Sequence, residues 1–230
     1  MLNFPKDAYL WLEFILKVVL VCNFFAMNKS TMLYRYFILL VTLILVSNPL
    51  TAASFNCKKA STQAERMICN DPDISVADTE MARAYKSLHA ALPKSERDLL
   101  KADQRKWLKE RKIEFRSCEE PYCHVFYLVR IAQLKPLEQV SFNCRKASSR
   151  SEKKICNSRL LKHADGRMAA VYKDLRNFAG GAYFDRQEQR DWLKRRDRNL
   201  QKQSCGTSCG WKLHKDRIEE LTRRLLHDSL

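Results

Sequence analysis

Ile74, Ala77, Met81, Tyr85, Leu88 and Leu92 recur at three- and four-residue steps, which places them on one stripe of a helix. Pro93 ends that helix, because the residue before a proline is pushed out of the helical region. Upstream, Thr62-Gln63-Ala64-Glu65 has the form of a capping box, and a short first helix is expected to run from it to the region of Cys69. Downstream, Ser95 is the expected cap of a third helix on which Leu100, Gln104, Trp107 and Arg111 share a face. Val125, Leu128, Ala132 and Leu134 predict a fourth helix. No stretch alternates with the period of a strand.

This pattern occurs twice. Cys57 and Cys69 are 12 apart, as are Cys144 and Cys156, and a gap of 49 then leads to Cys118 in one half and Cys205 in the other. Phe55-Asn56-Cys57 returns as Phe142-Asn143-Cys144, and Ile68-Cys69-Asn70 as Ile155-Cys156-Asn157. Asp78, Met81, Tyr85 and Leu88 match Asp165, Met168, Tyr172 and Leu175 at an offset of 87. Gln104, Trp107, Leu108 and Arg111 match Gln189, Trp192, Leu193 and Arg196 at 85, and Arg130-Ile131 matches Arg217-Ile218 at 87 again. A second capping box stands at Ser149-Arg150-Ser151-Glu152, and Gly180-Gly181 precedes the third helix of the second copy. Trp211, Ile218, Leu221 and Leu225 complete its fourth. The expected fold class is therefore all-α, two tandem bundles of about four helices each, over residues 54–139 and 140–230.

Residues 1–53 do not belong to this scheme. Tyr36 to Val46 is apolar apart from Thr42, follows Lys29 and Arg35, and leads into Ser47-Asn48-Pro49 and Thr51-Ala52-Ala53, the form of a secretory signal peptide. Translation from Met27 or Met32 would give a signal of ordinary length, with Met1 to Ala26 lying upstream of the true start. The alternative is a membrane segment over Ala8 to Ala26, which Glu13 and Lys17 interrupt. Cys57 is preceded by Ser54-Phe55-Asn56, which departs from a lipoprotein signal.

Of nine cysteines, Cys22 falls in the leader. Cys57, Cys69, Cys118, Cys123, Cys144, Cys156, Cys205 and Cys209 remain, an even set that reads as a disulfide framework in an exported protein. Four cysteines per copy allow three pairings. Intramodule pairing is expected, with Cys118 and Cys123 each fastening their loop to Cys57 or Cys69. At about 80 residues a copy is small enough for its core to be marginal without such cross-links. The gaps and the scattered histidines do not suit zinc, and no metal or other cofactor is expected.

The chain carries 42 Lys and Arg against 26 Asp and Glu. With the leader set aside the charge is +14, of which residues 54–139 hold +3 and 140–230 hold +11. That asymmetry predicts that the two copies do not share one partner surface. Arg186, Arg190, Lys194, Arg195, Arg196, Arg198 and Lys202 crowd one helix, either as a solvated face or as a site for an anionic ligand such as lipopolysaccharide, anionic lipid or an acidic protein. Nucleic acid is not expected, because no recognition motif accompanies the charge. Tyr85, Trp107, Tyr172 and Trp192 are the expected core anchors. Asp78/Asp165, Gln104/Gln189, Arg111/Arg196 and Arg130/Arg217 are read as a structural network that fixes helix register, since buried charges need partners. No catalytic residues are identified.

Ser54-Phe55-Asn56-Cys57, Glu65, Ile68-Cys69, Asp78, Tyr85, Gln104, Trp107, Arg111, the late cysteines and Arg130-Ile131 resemble the LprI N-terminal domain family, with two copies covering nearly all of Ser54 to Leu221. The most specific element is Gln-x-x-Trp-Leu, present as Gln104-Arg105-Lys106-Trp107-Leu108 and Gln189-Arg190-Asp191-Trp192-Leu193. The family's namesake is a lipoprotein described as a lysozyme inhibitor. The resemblance implies a periplasmic or secreted binding protein whose partner is a lysozyme-like muramidase, blocked by surface occlusion. The chain departs from the namesake in its doubled domain and the missing lipoprotein signal. Animal lysozymes are generally basic, so long-range electrostatics would oppose the encounter and an acidic patch, with Glu119-Glu120 the candidate, would have to dock. The alternative from a different class is an envelope protein that adheres to anionic surface polymers through the basic second copy.

Overall fold

A computed structural model describes residues 53–116, 118, 122–136, 140–178 and 186–227. The leader expected over residues 1–53 lies outside them apart from Ala53, as do Glu119-Glu120 and Gly180-Gly181. The described residues form α-helices and two short 3-10 turns, with no strand among them. Helix α1 spans Gln63–Asn70, α2 Pro72–Ala91, α3 Lys94–Glu114 and α4 Tyr122–Leu134. The second set repeats them as α5 Arg150–Cys156, α6 Arg159–Phe178, α7 Arg186–Gln201 and α8 Thr207–His227. No described helix is long and apolar enough to cross a membrane.

Local chemistry explains most boundaries. Both capping boxes form: the Glu65 N–H donates to Thr62 Oγ1 at 3.2 Å while the Thr62 N–H donates to Glu65 Oε2 at 2.9 Å, and Ser149 and Glu152 do the same. The backbone bonds from Thr62 and Ser61 hold the Glu65 carboxyl down to about 2. Asp71 caps α2 by accepting from the Asp73 and Ile74 N–H groups, with Pro72 pre-set at the first helical position. Ser95 does not cap α3. That helix starts one residue earlier, Pro93 is its N-cap, and Ser95 lies exposed inside the first turn.

The disulfides are local. Cys57 pairs with Cys69 and Cys144 with Cys156, each tying a 3-10 turn to the helix it precedes, while Cys118 pairs with Cys123 and Cys205 with Cys209, each tying the loop before the last helix to that helix's first turn. The expected cross-link from that loop to the N-terminal hook is not made. The two late pairs stand 5.6 and 5.2 Å apart at Cα, within direct bridging range, so each loop is fastened to the helix that follows it.

The two bundles share a core. Ile68, Leu100, Tyr127 and Leu134 of the first form one buried cluster with Ile155, Leu160, Leu161, Leu200 and Trp211 of the second. A smaller cluster of Met168, Val171, Leu175, Trp192, Ile218 and Leu221 belongs to the second alone. Helix α4 packs against α2 on one side and α8 and α6 on the other. This two-sided burial is why the single stripe expected on α4 does not appear: Val125, Leu128 and Ala132 are only half-buried, whereas Tyr127, Val129, Arg130, Ile131, Gln133 and Leu134 are all buried.

Side chains of each bundle also finish helix ends of the other. Glu96 accepts from the Leu160 N–H at 2.9 Å at the start of α6, and Arg159 donates to the Ala91 carbonyl at the end of α2. Arg167 donates to the Ala132 carbonyl at 2.8 Å and His163 Nε2 to the Gln133 carbonyl at 2.9 Å, which supplies partners to the last carbonyls of α4. These bonds fix how the bundles meet, because each satisfies a backbone group that its own helix leaves unpaired.

His163 makes this junction pH-sensitive. Burial lowers its pKa to about 4, so the folded protein holds the ring neutral where the unfolded chain would take up a proton. With the folded value below the unfolded one, stability is intact above about pH 6.5 and falls as pH drops towards 4, by an amount on the order of 3 kcal/mol. Urea unfolding at pH 7 and pH 4.5 should show this loss in the natural protein and a much smaller one in His163→Gln. Equal losses in both would contradict the assignment.

Candidate functional site

Each bundle carries the same two polar stations around one tryptophan. In the first, Asp78 is buried on α2, and its Oδ2 accepts from the Ser54 backbone N–H at 2.8 Å while Oδ1 accepts from Arg111 Nη1 at 3.2 Å and the Tyr127 hydroxyl at 2.8 Å. Burial pushes the Tyr127 phenol up, so the hydroxyl remains a donor. In the second, Asp165 accepts from the Ser141 N–H at 2.8 Å and from Arg196 Nη1 at 2.7 Å. Burial alone would raise Asp165, but the hydrogen bond from Ser141 and the Arg196 guanidinium outweigh it and hold the carboxyl below its usual range. Thus the first residues of each module are pinned to its second helix by a buried carboxylate.

The other station is an arginine on the last helix. Arg130, fully buried, donates from Nε and Nη2 to Gln104 Oε1, and from Nη1 to Asp103 at 2.8 Å and Gln133 at 3.0 Å. Arg217 repeats this with Gln189, Glu188 and Glu220. Gln104 and Gln189 place their amides on Met81 and Met168 sulfur. Two guanidinium groups lie within 6 Å of each indole centroid, Arg111 and Arg130 at Trp107, Arg196 and Arg217 at Trp192. Arg224 and Arg217 hold Glu188 down to about 2.

Several members of these stations were not visible as repeats because their identities differ between copies. Tyr127 and His214, Asp103 and Glu188, and Gln133 and Glu220 occupy matching offsets with unlike side chains. His214 donates from Nδ1 to the Gly210 carbonyl, and its Nε2 stands 3.8 Å from Asp165, beyond hydrogen-bond range. The offset itself was the signal, and only a register already fixed by cysteine and tryptophan would have exposed it.

Trp107 and Trp192 are buried, whereas Tyr85 and Tyr172 are half-buried at the edge of their clusters. Of the basic run, Arg186, Arg190, Lys194, Arg195 and Arg198 are exposed on α7, and Lys202 is exposed just past its end. Arg196 is not part of that surface. It points inward to Asp165 and Asp197, because it holds the register position of Arg111. Where the bundles meet, a cleft of about 340 Å³ is lined by Trp107, Phe126, Glu110, Glu114, Lys215 and Glu219, among others. Lys215 is already committed to Asp103 at 2.6 Å. Among the described residues no three His, Cys, Asp or Glu side chains gather as metal ligands would.

The family model for the lysozyme inhibitor LprI matches the chain twice, at residues 56–137 and 144–221. No curated protein and no solved structure matches it.

Proposed function

The chain belongs to the lysozyme inhibitor LprI family, and on that premise we propose that the mature protein is an exported, non-enzymatic inhibitor of a lysozyme-like muramidase. It acts by covering the enzyme's surface. The observation that carries this reading is the family match in both copies. The fold supports it in a second way, because the aspartate, glutamine and two arginines that each copy places around its tryptophan are engaged inside the bundles. A protein so built offers a rigid exterior in place of a reactive cleft. Rigidity favours binding, since little conformational entropy remains to be lost on association.

Export is part of the same proposal. A leader with the form of a signal peptide precedes eight paired cysteines, and disulfides persist where thiols are oxidised. The excess of positive charge would slow approach to a basic lysozyme, so docking is assigned to the cleft between the bundles, where Glu110 and Glu114 flank Trp107 and Phe126 and the cations of the lining, Lys215 and Arg223, are paired with Asp103 and Glu219. The test is peptidoglycan lysis by lysozyme in the presence of purified, oxidised mature protein. Inhibition that saturates with added protein is expected. Undiminished lysis at a large molar excess would remove this reading.

A further inference from the structure

The outward side of α3 is a run of cations. Lys101, Arg105 and Lys109 follow at four-residue steps and so stack along one side of the helix, with Lys94, Lys112 and Arg116 extending the row. All six are exposed. Helix α3 has 21 residues, about 30 Å at about 1.5 Å per residue. Its carboxylates do little to neutralise this row. Glu96 caps α6, Asp103 holds Arg130 and Lys215, Glu110 pairs with Lys106, and Glu114 lines the cleft, which leaves Asp98, exposed between Lys94 and Lys101, as the acid that stands beside the row. Among the described residues no ion pair engages Lys101, Arg105 or Lys109.

Helix α7 presents the same trio. Arg186, Arg190 and Lys194 occupy the positions of Lys101, Arg105 and Lys109 at the offset of 85, and Arg198 and Lys202 continue the four-residue steps. Its acids are again engaged: Glu188 with Arg217 and Arg224, Asp197 with Arg196, and Asp191 with Lys194. Neighbouring exposed positions have diverged, Glu110 standing where the second copy has Arg195, and Ile113 where it has Arg198. The three cations keep their sign through that divergence. The net charge of +3 over residues 54–139 conceals the row, because acids held elsewhere in the module offset it in the count.

We propose that α3 and α7 each present a docking face for a linear anionic polysaccharide bearing sulfate or phosphate groups, so that both modules grip the polymer and not the more basic one alone. Four-residue steps space the cations about 6 Å apart along the axis, which suits a chain with regularly repeated charges. A bilayer is the poorer fit. The apolar sides of both helices, with Leu100 and Trp107 on α3 and Trp192 and Leu200 on α7, are spent in the core, and the exposed Leu108 and Ile113 of α3 are two isolated side chains that make no continuous apolar face to lay into lipid.

The experiment measures binding of the oxidised mature protein to heparin of defined length, as a sulfated polysaccharide probe, at about 0.15 M salt. The triple variant Lys101→Gln, Arg105→Gln, Lys109→Gln should raise Kd about tenfold, as should Arg186→Gln, Arg190→Gln, Lys194→Gln, and the combination about a hundredfold. Lys101→Arg with Lys109→Arg should bind like the natural protein. A control that removes the same charge elsewhere, Lys58→Gln, Lys59→Gln, Lys86→Gln, should lose little. The proposal is overturned if the α3 triple binds as tightly as the natural protein, if the control loses as much as either triple, or if vesicles containing phosphatidylglycerol are bound while heparin is not.

Discussion

Reduction of the four disulfides should lower the unfolding free energy by roughly 10 kcal/mol in the limit set by loop-closure entropy. Each of the two bridges with a separation of 12 contributes about 3 kcal/mol and each of the shorter ones about 2 kcal/mol. Natural domains are stable by about 5–15 kcal/mol, so the reduced chain is expected to be largely unfolded at 37 °C. Trp107, Trp192 and Trp211, all buried, report this directly. Urea titrations followed by tryptophan fluorescence, with and without reductant, should show the transition move sharply to lower urea or vanish. A midpoint that reductant leaves in place would mean that the cores alone hold the bundles. Because the bridges are local, each hook should be lost separately: Cys57→Ala with Cys69→Ala should cost about 3 kcal/mol and Cys118→Ala with Cys123→Ala less.

Loss of Asp165 should be the most damaging single change of a polar residue. Its carboxylate is fully buried, and it holds both Arg196 and the backbone N–H of Ser141. Asp165→Ala strips the Ser141 amide of its partner and leaves Arg196 without its buried carboxylate, held only by the half-exposed Asp197, a change that costs about 3–5 kcal/mol where buried pairs have been broken. Asp78→Ala should cost less. Each arginine keeps one partner, Arg111 the Tyr127 hydroxyl and Arg196 the Asp197 carboxylate, but Arg111 is the more exposed, 13% against 7% at the side chain, so water reaches it more readily. Chemical denaturation of the two variants should therefore rank Asp165→Ala below Asp78→Ala. The reverse order would contradict the geometry of the two stations.

These two residues were legible in the sequence as a repeated pair beside apolar anchors, and their partners Arg111 and Arg196 with them. So were the helices, since three- and four-residue spacing and two capping boxes are local properties of the chain. What stayed hidden depends on contact between distant segments. The meeting of the bundles rests on Glu96, Arg159, His163 and Arg167, and the register positions matching the last three in the first copy hold Pro72, Val76 and Glu80. A search for repetition passes over such residues because they work only where the copies differ. Disulfide pairing was hidden for a related reason: spacing alone does not say that the Cys57 turn folds back onto the end of α1. The inward turn of Arg196 among exposed arginines followed only from its match to Arg111.

The account depends on a chain that is oxidised in short local loops once its leader is behind it. Peptide mapping of the exported protein under non-reducing conditions tests this most directly. The expected result is four linked pairs, Cys57 with Cys69, Cys118 with Cys123, Cys144 with Cys156 and Cys205 with Cys209, and no free thiol after Ser54. Free cysteines in the native protein, or links that join Cys118 or Cys205 to the N-terminal hooks, would contradict it.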